Sequence, residues 1–201
     1  NQTNDSNRRD GTADTGRASE TEVEETARPA DVQYQLRGYN SDDIEVYETS
    51  DEIKALPWSE RRKRYLDIMR NEYRGRTARF VRNGHIYYAE FDRENIRKPI
   101  YGDKRSSLAG KKALINAGAD GDVFDLVENS KYKFSKTDTK NHKKTDYFDY
   151  FVKTVQIDGR VFDLVADVKK QYSLDGGYIY TLYLKDNNIV KASPAQGTVS
   201  G

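Results

Sequence analysis

Alternation of apolar and polar residues predicts a β-hairpin in the first half of the chain. The runs Arg76–Arg82 and His85–Phe91 are rich in aromatic and β-branched residues, and only Asn83-Gly84 separates them. Asn-Gly favours the positive backbone φ angles of a two-residue type I′ turn. We therefore expect two antiparallel strands joined at this dipeptide.

The same pattern predicts a three-stranded meander nearer the C-terminus. Tyr147–Ile157 and Arg160–Val168 flank Asp158-Gly159, and Tyr178–Leu184 follows a glycine-rich turn at 175–177. Strands that follow one another through short turns pair antiparallel. The two hairpins and the meander predict an α+β fold, in which N-terminal helices pack on an antiparallel sheet of about four to five strands.

Helical periodicity precedes the first hairpin. Thr49 and Glu52 have the spacing of a capping box, and Pro57 suits the first turn of a second helix. The apolar face of that second helix comprises Trp58, Tyr65, Leu66, Ile68, Met69 and Tyr73. One apolar stripe of this kind predicts a helix that lies across the sheet.

The segment between the hairpins is less regular. Ser107–Ala117 predicts a helix with Gly118 as its C-cap, whereas 122–129 is compatible with a short helix or a strand. Residues 131–146 are rich in lysine and lack clear periodicity, so we expect a mobile loop there.

The first 31 residues differ from the rest in composition. They hold 4 Lys/Arg against 8 Asp/Glu and few apolar residues, so they cannot bury enough surface to offset the entropy of ordering. We expect a disordered acidic tail or linker at 1–31, one α+β domain over 32–194, a flexible end at 195–201, and a longer parent polypeptide. No apolar run reaches about 18 residues and no signal-peptide pattern is present, so we expect neither a membrane span nor a conventional export signal.

The charge of the chain is unevenly distributed. Residues 32–201 carry about +5, and 12 basic residues stand against 6 acidic ones between Arg97 and Lys144. Such a stretch attracts phosphate or another acidic partner, although an ordinary solvated surface has the same composition. Cysteine is absent, which excludes disulfides, thiol nucleophiles and thiolate metal sites.

Two histidines are the candidates for proton transfer near neutral pH: His85 after the first hairpin turn, and His142 in the lysine-rich segment. Each by itself is equally typical of an exposed surface residue. Metal-independent RNA cleavage needs a base for the 2′-hydroxyl, an acid for the leaving 5′ oxygen, and cations for the charge on the phosphate. Tyr87 and Tyr88 accompany the first histidine and lysines accompany the second, so the residue types for this reaction are present.

Other common chemistries lack their motifs. The chain has no glycine-rich phosphate loop, no H-E-x-x-H and no G-x-S-x-G, and no set of paired carboxylates indicates a metal-dependent DNase. Asp120, Asp122, Asp125 and Glu128 lack the spacing of a calcium loop and are more typical of a turn with a helix cap. We expect no metal and no other cofactor. Alternating aromatic residues in the strands can stack bases, but they are more typical of cross-strand core pairs.

Five groups of short strings are spread along the chain, and the resemblance that they carry covers about residues 32–194. They are Tyr34-Gln-Leu-Arg-Gly38, Gly75-Arg-Thr-Ala-Arg-Phe80 with Asn83-Gly-His-Ile-Tyr-Tyr88, Ile100-Tyr-Gly-Asp-Lys-Arg105, Ile115-Asn-Ala-Gly-Ala-Asp-Gly121 and Tyr150-Phe-Val-Lys-Thr-Val-Gln-Ile-Asp-Gly159. Together they resemble a domain found at the C-termini of large polyvalent and MuF-type proteins of Gram-positive phages and conjugative elements. That family is similar to the barnase/EndoU/colicin/RelE superfamily of RNase toxins, whose fold places N-terminal helices against an antiparallel sheet.

The resemblance implies a toxin that cuts RNA in the cytoplasm of a bacterial cell. Delivery by a phage particle or mobile element, and neutralisation by an immunity or antitoxin protein, are implied with it. The superfamily has no invariant catalytic motif, so the candidate site is chosen by residue type. Candidate catalytic residues are His85, His142, Lys104, Tyr147 and Lys153, and candidate RNA phosphate ligands are Arg105, Lys111, Lys112, Lys143 and Lys144. The alternative is a non-catalytic phage or mobile-element module that binds nucleic acid or a partner protein through a basic face, with salt-sensitive affinity that does not depend on either histidine.

Overall fold

The computed structural model describes residues 36–91, 104–139, 146–171 and 177–196. The acidic tail expected at 1–31 lies outside these residues, as do 197–201, so the predictions made for both ends of the chain stay predictions. Three residues of the predicted site, His142, Lys143 and Lys144, also lie outside them.

The described residues form eight strands and four helices. The strands are β1 (Leu36–Tyr39), β2 (Glu45–Tyr47), β3 (Thr77–Arg82), β4 (His85–Phe91), β5 (Ser130–Thr137), β6 (Asp146–Ile157), β7 (Arg160–Gln171) and β8 (Gly177–Asp186). The helices are α1 (Asp51–Ala55), α2 (Trp58–Ile68), which continues as a π-helical turn at Met69–Tyr73, α3 (Leu108–Ala119) and α4 (Val123–Val127).

Six of these strands close into a barrel. Their order around it is β6-β5-β3-β4-β8-β7, and pairing of β7 with β6 completes the circle. The β3–β5 and β4–β8 pairs are parallel, whereas the other pairs of the barrel are antiparallel. Strands β1 and β2 lie outside the barrel as an extension, with β2 parallel to the last residues of β6.

The predicted fold class, an open antiparallel sheet with helices packed on it, is therefore wrong. Both hairpins and the meander are confirmed. The error lies in 131–146, which was expected to be a loop: β5 occupies Ser130–Thr137 and joins β3 to β6. Together with the β4–β8 pair, it converts two separate antiparallel units into one closed mixed barrel.

The start of α1 differs from the predicted capping box. Ser50 is the N-cap and its Oγ accepts a hydrogen bond from the backbone N of Ile53 at 3.2 Å. Thr49 instead donates from its backbone N and Oγ1 to the carboxylate of Asp158, at 2.7 and 2.6 Å. The carboxylate thereby ties the β6–β7 turn to the residues just before α1.

The middle helix α3 runs past its predicted end. Gly118 lies inside it and not at its C-cap. Its role is close packing: a Cβ at Gly118 would stand 2.1 Å from a ring carbon of Tyr65. The segment 122–129, left open between helix and strand, contains α4. Of the apolar face predicted for α2, Tyr65, Met69 and Tyr73 are buried, but Trp58 is exposed. Among the described residues, no helix is long and apolar enough to cross a membrane.

The helices close one end of the barrel. Asp120, which follows α3, accepts hydrogen bonds from Ser50 near the β6–β7 turn, and Gly110 of α3 packs against the backbone of Leu184 near the end of β8. The opposite end is formed by the β3–β4 turn, the last residues of β5 and β7, and the first residues of β6 and β8. We call this opposite end the mouth.

Two buried tyrosines in the helix-closed half differ in hydrogen bonding. The hydroxyl of Tyr47 donates to Glu45 at 2.7 Å, whereas that of Tyr65 is buried without a hydrogen-bond partner among the described residues. Burial raises the pKa of both phenols, and the charge of Glu45 raises that of Tyr47 further.

Replacing Tyr65 with phenylalanine should leave the free energy of unfolding unchanged or raise it by up to ~1 kcal/mol, since the hydroxyl removed is buried and unsatisfied. Tyr47→Phe is the matched control and should cost about 1–1.5 kcal/mol, since it removes a hydrogen bond to Glu45, which keeps only Lys153 as a partner among the described residues. Urea unfolding at neutral pH measures both changes. A loss above ~1 kcal/mol in Tyr65→Phe would show that its hydroxyl has a partner.

The raised pKa values of these two phenols should also make the fold less stable in alkaline solution. A phenol whose pKa is higher in the folded state stabilises the fold fully below the unfolded pKa of about 10, and this contribution is lost as the pH rises towards the folded value. The free energy of unfolding should therefore fall above pH ~10, and Tyr65→Phe should make that fall less steep.

Candidate active site

Strand alternation directs one set of polar side chains into the mouth. Arg82 and His85 are partners across the β3–β4 turn and share a face with Phe80, which is fully buried in the barrel. Tyr87 lies two residues beyond His85 on β4, and its side chain points to the same face, since successive side chains of a strand alternate.

The long strands β6 and β7 contribute the opposite wall of the mouth. Tyr147 and Asp149 precede the buried Phe151 on one face of β6, and Lys170 pairs with Tyr147 from β7. The mouth cluster is defined by its seven side chains, Arg82, His85, Tyr87, Ser135, Tyr147, Asp149 and Lys170.

Asp149 is the centre of a hydrogen-bond network in this cluster. Its side chain has no exposure, and one carboxylate oxygen accepts from Arg82 Nη1 at 2.7 Å while the other accepts from Ser135 Oγ. The Tyr132 hydroxyl lies 2.9 Å from Ser135 Oγ, and its ring lies 4.9 Å below the Arg82 guanidinium. The network holds β3, β5 and β6 in register at the rim.

Arg82 remains charged in this setting. Desolvation works to lower its pKa, but a hydrogen bond to Tyr147 and the charge of Asp149 outweigh it, so that the pKa lies above the ordinary value for arginine. The charge of the guanidinium is offset by the buried carboxylate. Arg82 therefore contributes hydrogen-bond donors to the mouth, but its ion pair with Asp149 leaves little net positive charge there.

Tyr87 presents a protonated phenol. Its ring stacks on Phe151 with 5.4 Å between centroids, and its hydroxyl is buried without a hydrogen-bond partner in the described part of the chain. Burial, reinforced by the charge of Asp149, raises the pKa of this phenol. Gly177 makes room for the hydroxyl, since a Cβ there would stand 2.5 Å from it. Tyr87 is therefore an unused proton donor.

Lys170 supplies a positive charge that no described carboxylate balances. Its ammonium lies 4.8 Å from the centre of the Tyr87 ring, and no ion pair joins it to a carboxylate of the described residues. His85 stands exposed at the rim, beside Arg82 on the neighbouring strand. A cation and an imidazole at the mouth, with a phenol just inside it, form a site for an anionic ligand that undergoes proton transfer.

The structure brings together two of the predicted catalytic residues and separates two others, Lys104 and Lys153, from them, whereas His142 lies outside the described residues. His85 and Tyr147 both belong to the mouth cluster. Lys153 lies six residues beyond Tyr147 on β6, roughly 20 Å away at ~3.3 Å per residue. Its ammonium pairs with Glu45 at 2.6 Å and donates to the backbone oxygens of Asp125 and Glu128. Burial lowers its pKa while Glu45 opposes the change. This lysine fastens α4 and β2 to the barrel.

The predicted phosphate ligands near α3 lie elsewhere. Arg105 binds Asp167 at 2.7 Å and Thr181 at 2.9 Å on the outer side of the barrel. Lys104, in the turn before α3, and Lys111 and Lys112, on its first turns, are near the end of β8 that is roughly 20 Å from the mouth along the strand. The structure therefore places these candidates away from His85.

The residues that sequence reasoning missed are Arg82, Tyr87, Ser135, Asp149 and Lys170. A signal for the first two was available: a two-residue turn makes Arg82 and His85 partners, and strand periodicity then adds Tyr87. Lys170 follows the buried Val168 by two residues, but its position opposite Tyr87 depends on barrel closure.

The described residues contain no group of three or more His, Cys, Asp or Glu side chains arranged to hold a metal ion. Comparison with protein families, with curated proteins and with solved structures finds no match for the chain. The resemblance to phage and mobile-element domains therefore stays a prediction.

Proposed function

We propose that the mouth cluster is the active site of a metal-independent endoribonuclease. The observation that carries this proposal is the placement of Lys170, His85 and Tyr87 together at the mouth of the barrel, where no described carboxylate offsets the ammonium charge. A phosphodiester supplies the negative charge that this ammonium attracts.

Each group then has a role in transesterification. His85 accepts the proton of the 2′-hydroxyl, whose oxygen attacks the phosphorus and forms the cyclic 2′,3′ bond. The bond to the 5′ oxygen breaks, and a phenol of the mouth cluster, the half-buried Tyr147 or the more deeply placed Tyr87, gives that oxygen a proton. Lys170 and the outward N–H groups of Arg82 stabilise the charge that develops on the phosphate oxygens.

The biological setting is part of the proposal and rests on the resemblance. We propose a toxin domain of a longer phage or mobile-element protein, acting in the bacterial cytoplasm and held in check by an immunity or antitoxin protein. A basic mouth suits an inhibitor that presents a carboxylate to Lys170.

Incubation of the purified chain with total RNA in EDTA should produce fragments. Attack by the 2′-hydroxyl leaves 2′,3′-cyclic phosphate and 5′-hydroxyl ends, which end-labelling before and after phosphatase treatment distinguishes from metal-dependent products. RNA that stays intact while the protein retains it in a salt-dependent manner would contradict the enzyme and support the non-catalytic binding module.

A further inference from the structure

The outer side of the barrel carries two aromatic pairs beside the mouth. The rings of Phe134 and Tyr150 stack across β5 and β6 with centroids 4.5 Å apart and planes at 21°, and Phe148 meets Tyr180 at 5.2 Å. Phe148 and Tyr150 are two residues apart on one strand face, so the pairs lie about 7 Å from each other. They form two neighbouring ring surfaces on the barrel exterior.

Each aromatic pair has a lysine above it. The Lys136 ammonium is 5.4 and 5.8 Å from the ring centres of Phe134 and Tyr150, and that of Lys169 is 5.7 and 5.9 Å from those of Phe148 and Tyr180. Lys169 is also 3.5 Å from the carboxylate of Asp138. We call Lys136, Lys169 and the four rings the aromatic–lysine wall.

The charge of this wall comes mainly from β5. Lys131, Lys133 and Lys136 are all exposed on this strand, and none is ion-paired with a carboxylate of the described residues. The only acidic residue of the neighbouring β6 segment 147–157 is Asp149, which points into the mouth. The outer face of β5 and β6 is therefore positive.

One ring of each pair is exposed, and its partner, Tyr150 or Phe148, is half-buried. Phe134 is 38% exposed and Tyr180 is 36% exposed, whereas the core beneath them is closed by Phe151 and Val168. Partly exposed aromatic pairs about 7 Å apart, each with an ammonium group over it, match the stacking platforms on which single strands bind.

We propose that the aromatic–lysine wall binds single-stranded RNA, with successive bases stacked on the two ring pairs and the β5 lysines on the phosphates. A duplex keeps its base faces internal, so it can use the lysines but not the rings. An acidic protein would likewise use the lysines without needing open ring faces.

The wall and the mouth cluster meet at the rim. Tyr147 and Phe148 are consecutive, as are Lys169 and Lys170, and alternation sends one of each pair inside and the other outside. A strand held on the wall thus crosses the rim beside the mouth. Delivery of the RNA strand to the mouth as a substrate rests on the proposed function, whereas binding of RNA to the wall does not depend on cleavage.

Fluorescence anisotropy with a 2′-O-methyl RNA single strand of about 12 nucleotides tests the binding without cleavage, since the probe lacks the attacking hydroxyl. Phe134→Ala and Tyr180→Ala should each weaken binding by about tenfold. Lys136→Ala should lower the slope of log affinity against log salt by about 0.7. Trp58→Ala is the matched control, because Trp58 is an aromatic residue exposed to the same 36% at the helix-closed end.

The outcomes separate this inference from the proposed nuclease. Unchanged affinity in both ring variants, or equal affinity for a duplex probe, would overturn the wall as a single-strand site even if RNA is cleaved. Ring-dependent binding by a protein that leaves RNA intact would support the wall and remove only the nuclease. Phe134→Leu keeps apolar volume and removes the aromatic face, so it tests stacking if the alanine variant fails to fold.

Discussion

Replacing His85 with alanine should lower the rate of RNA cleavage by about 100-fold or more, the usual contribution of a positioned general base. The imidazole stands at the rim, and no other histidine lies among the described residues. Because His85 acts on the proton and not on the phosphate charge, kcat should fall while KM changes little. Initial rates on a fluorogenic RNA oligonucleotide in EDTA measure both quantities.

Ile86→Ala is the matched control for this variant. Ile86 is the next residue of β4, and alternation places it on the outer face, where it is 51% exposed. Its replacement should leave the rate within about twofold, as expected for a surface change away from the site. Equal rates in His85→Ala and the parent protein would remove the imidazole from the mechanism, and a large loss in Ile86→Ala would place the reaction outside the mouth.

Phe151→Ala should reduce the free energy of unfolding by about 3–5 kcal/mol, the range for a large aromatic side chain removed from a packed interior. Phe151 is fully buried at the base of the mouth cluster, with ring centres at 4.6 Å from Phe80, 5.4 Å from Tyr87 and 6.0 Å from Tyr132. Its loss leaves a cavity that three strands of a closed barrel cannot collapse together to fill.

Urea unfolding measures this loss, and Tyr88→Ala provides the comparison. Tyr88 is an aromatic residue on the outer face of β4, largely exposed, so its removal should cost within about 0.5 kcal/mol. A loss below ~1 kcal/mol for Phe151→Ala would be incompatible with a filled barrel interior. The variant should also cleave RNA more slowly, since the ring of Tyr87 rests on Phe151.

The hairpins were predictable because their signals are local. Asn83 and Asp158 both adopt positive φ, at 50° and 49°, next to a glycine, as the type I′ turn requires. A two-residue turn also sets the register of the flanking strands, so the pairing of Arg82 with His85 follows directly. That pairing is the part of the candidate site that sequence reasoning could reach.

Strand β5 was missed because its sequence resembles a loop. Lys131, Lys133 and Lys136 dominate it, and a bulge between Tyr132 and Phe134 breaks the alternation that would indicate a strand. Its place is determined by neighbours: Ser130 pairs with Phe80 of β3, and Tyr132 pairs with Phe151 of β6. Tyr132, Phe134 and Thr137 are of types common in strands, but this weak local preference does not say which strands the segment joins.

Residue type alone does not show which basic side chains lie together. Lys153, a predicted catalytic residue, and Arg105, a predicted phosphate ligand, are held by distant carboxylates, Glu45 and Asp167 respectively. Lys170 has the ordinary appearance of a strand-end lysine and becomes a candidate only when barrel closure places it over Tyr87.

The sequence by itself determined the turns, the strands beside them, the register across each turn and the amphipathic α2, because these depend on residues close together in the chain. Only the tertiary structure decided closure. The parallel pairs β3–β5 and β4–β8 join segments about 50 and 90 residues apart. No short turn connects such strands, so the local sequence does not predict their pairing. They pair only when burial of the core offsets the entropy of closing the loop between them. The mouth cluster draws on five strands, so it exists only once the barrel is closed.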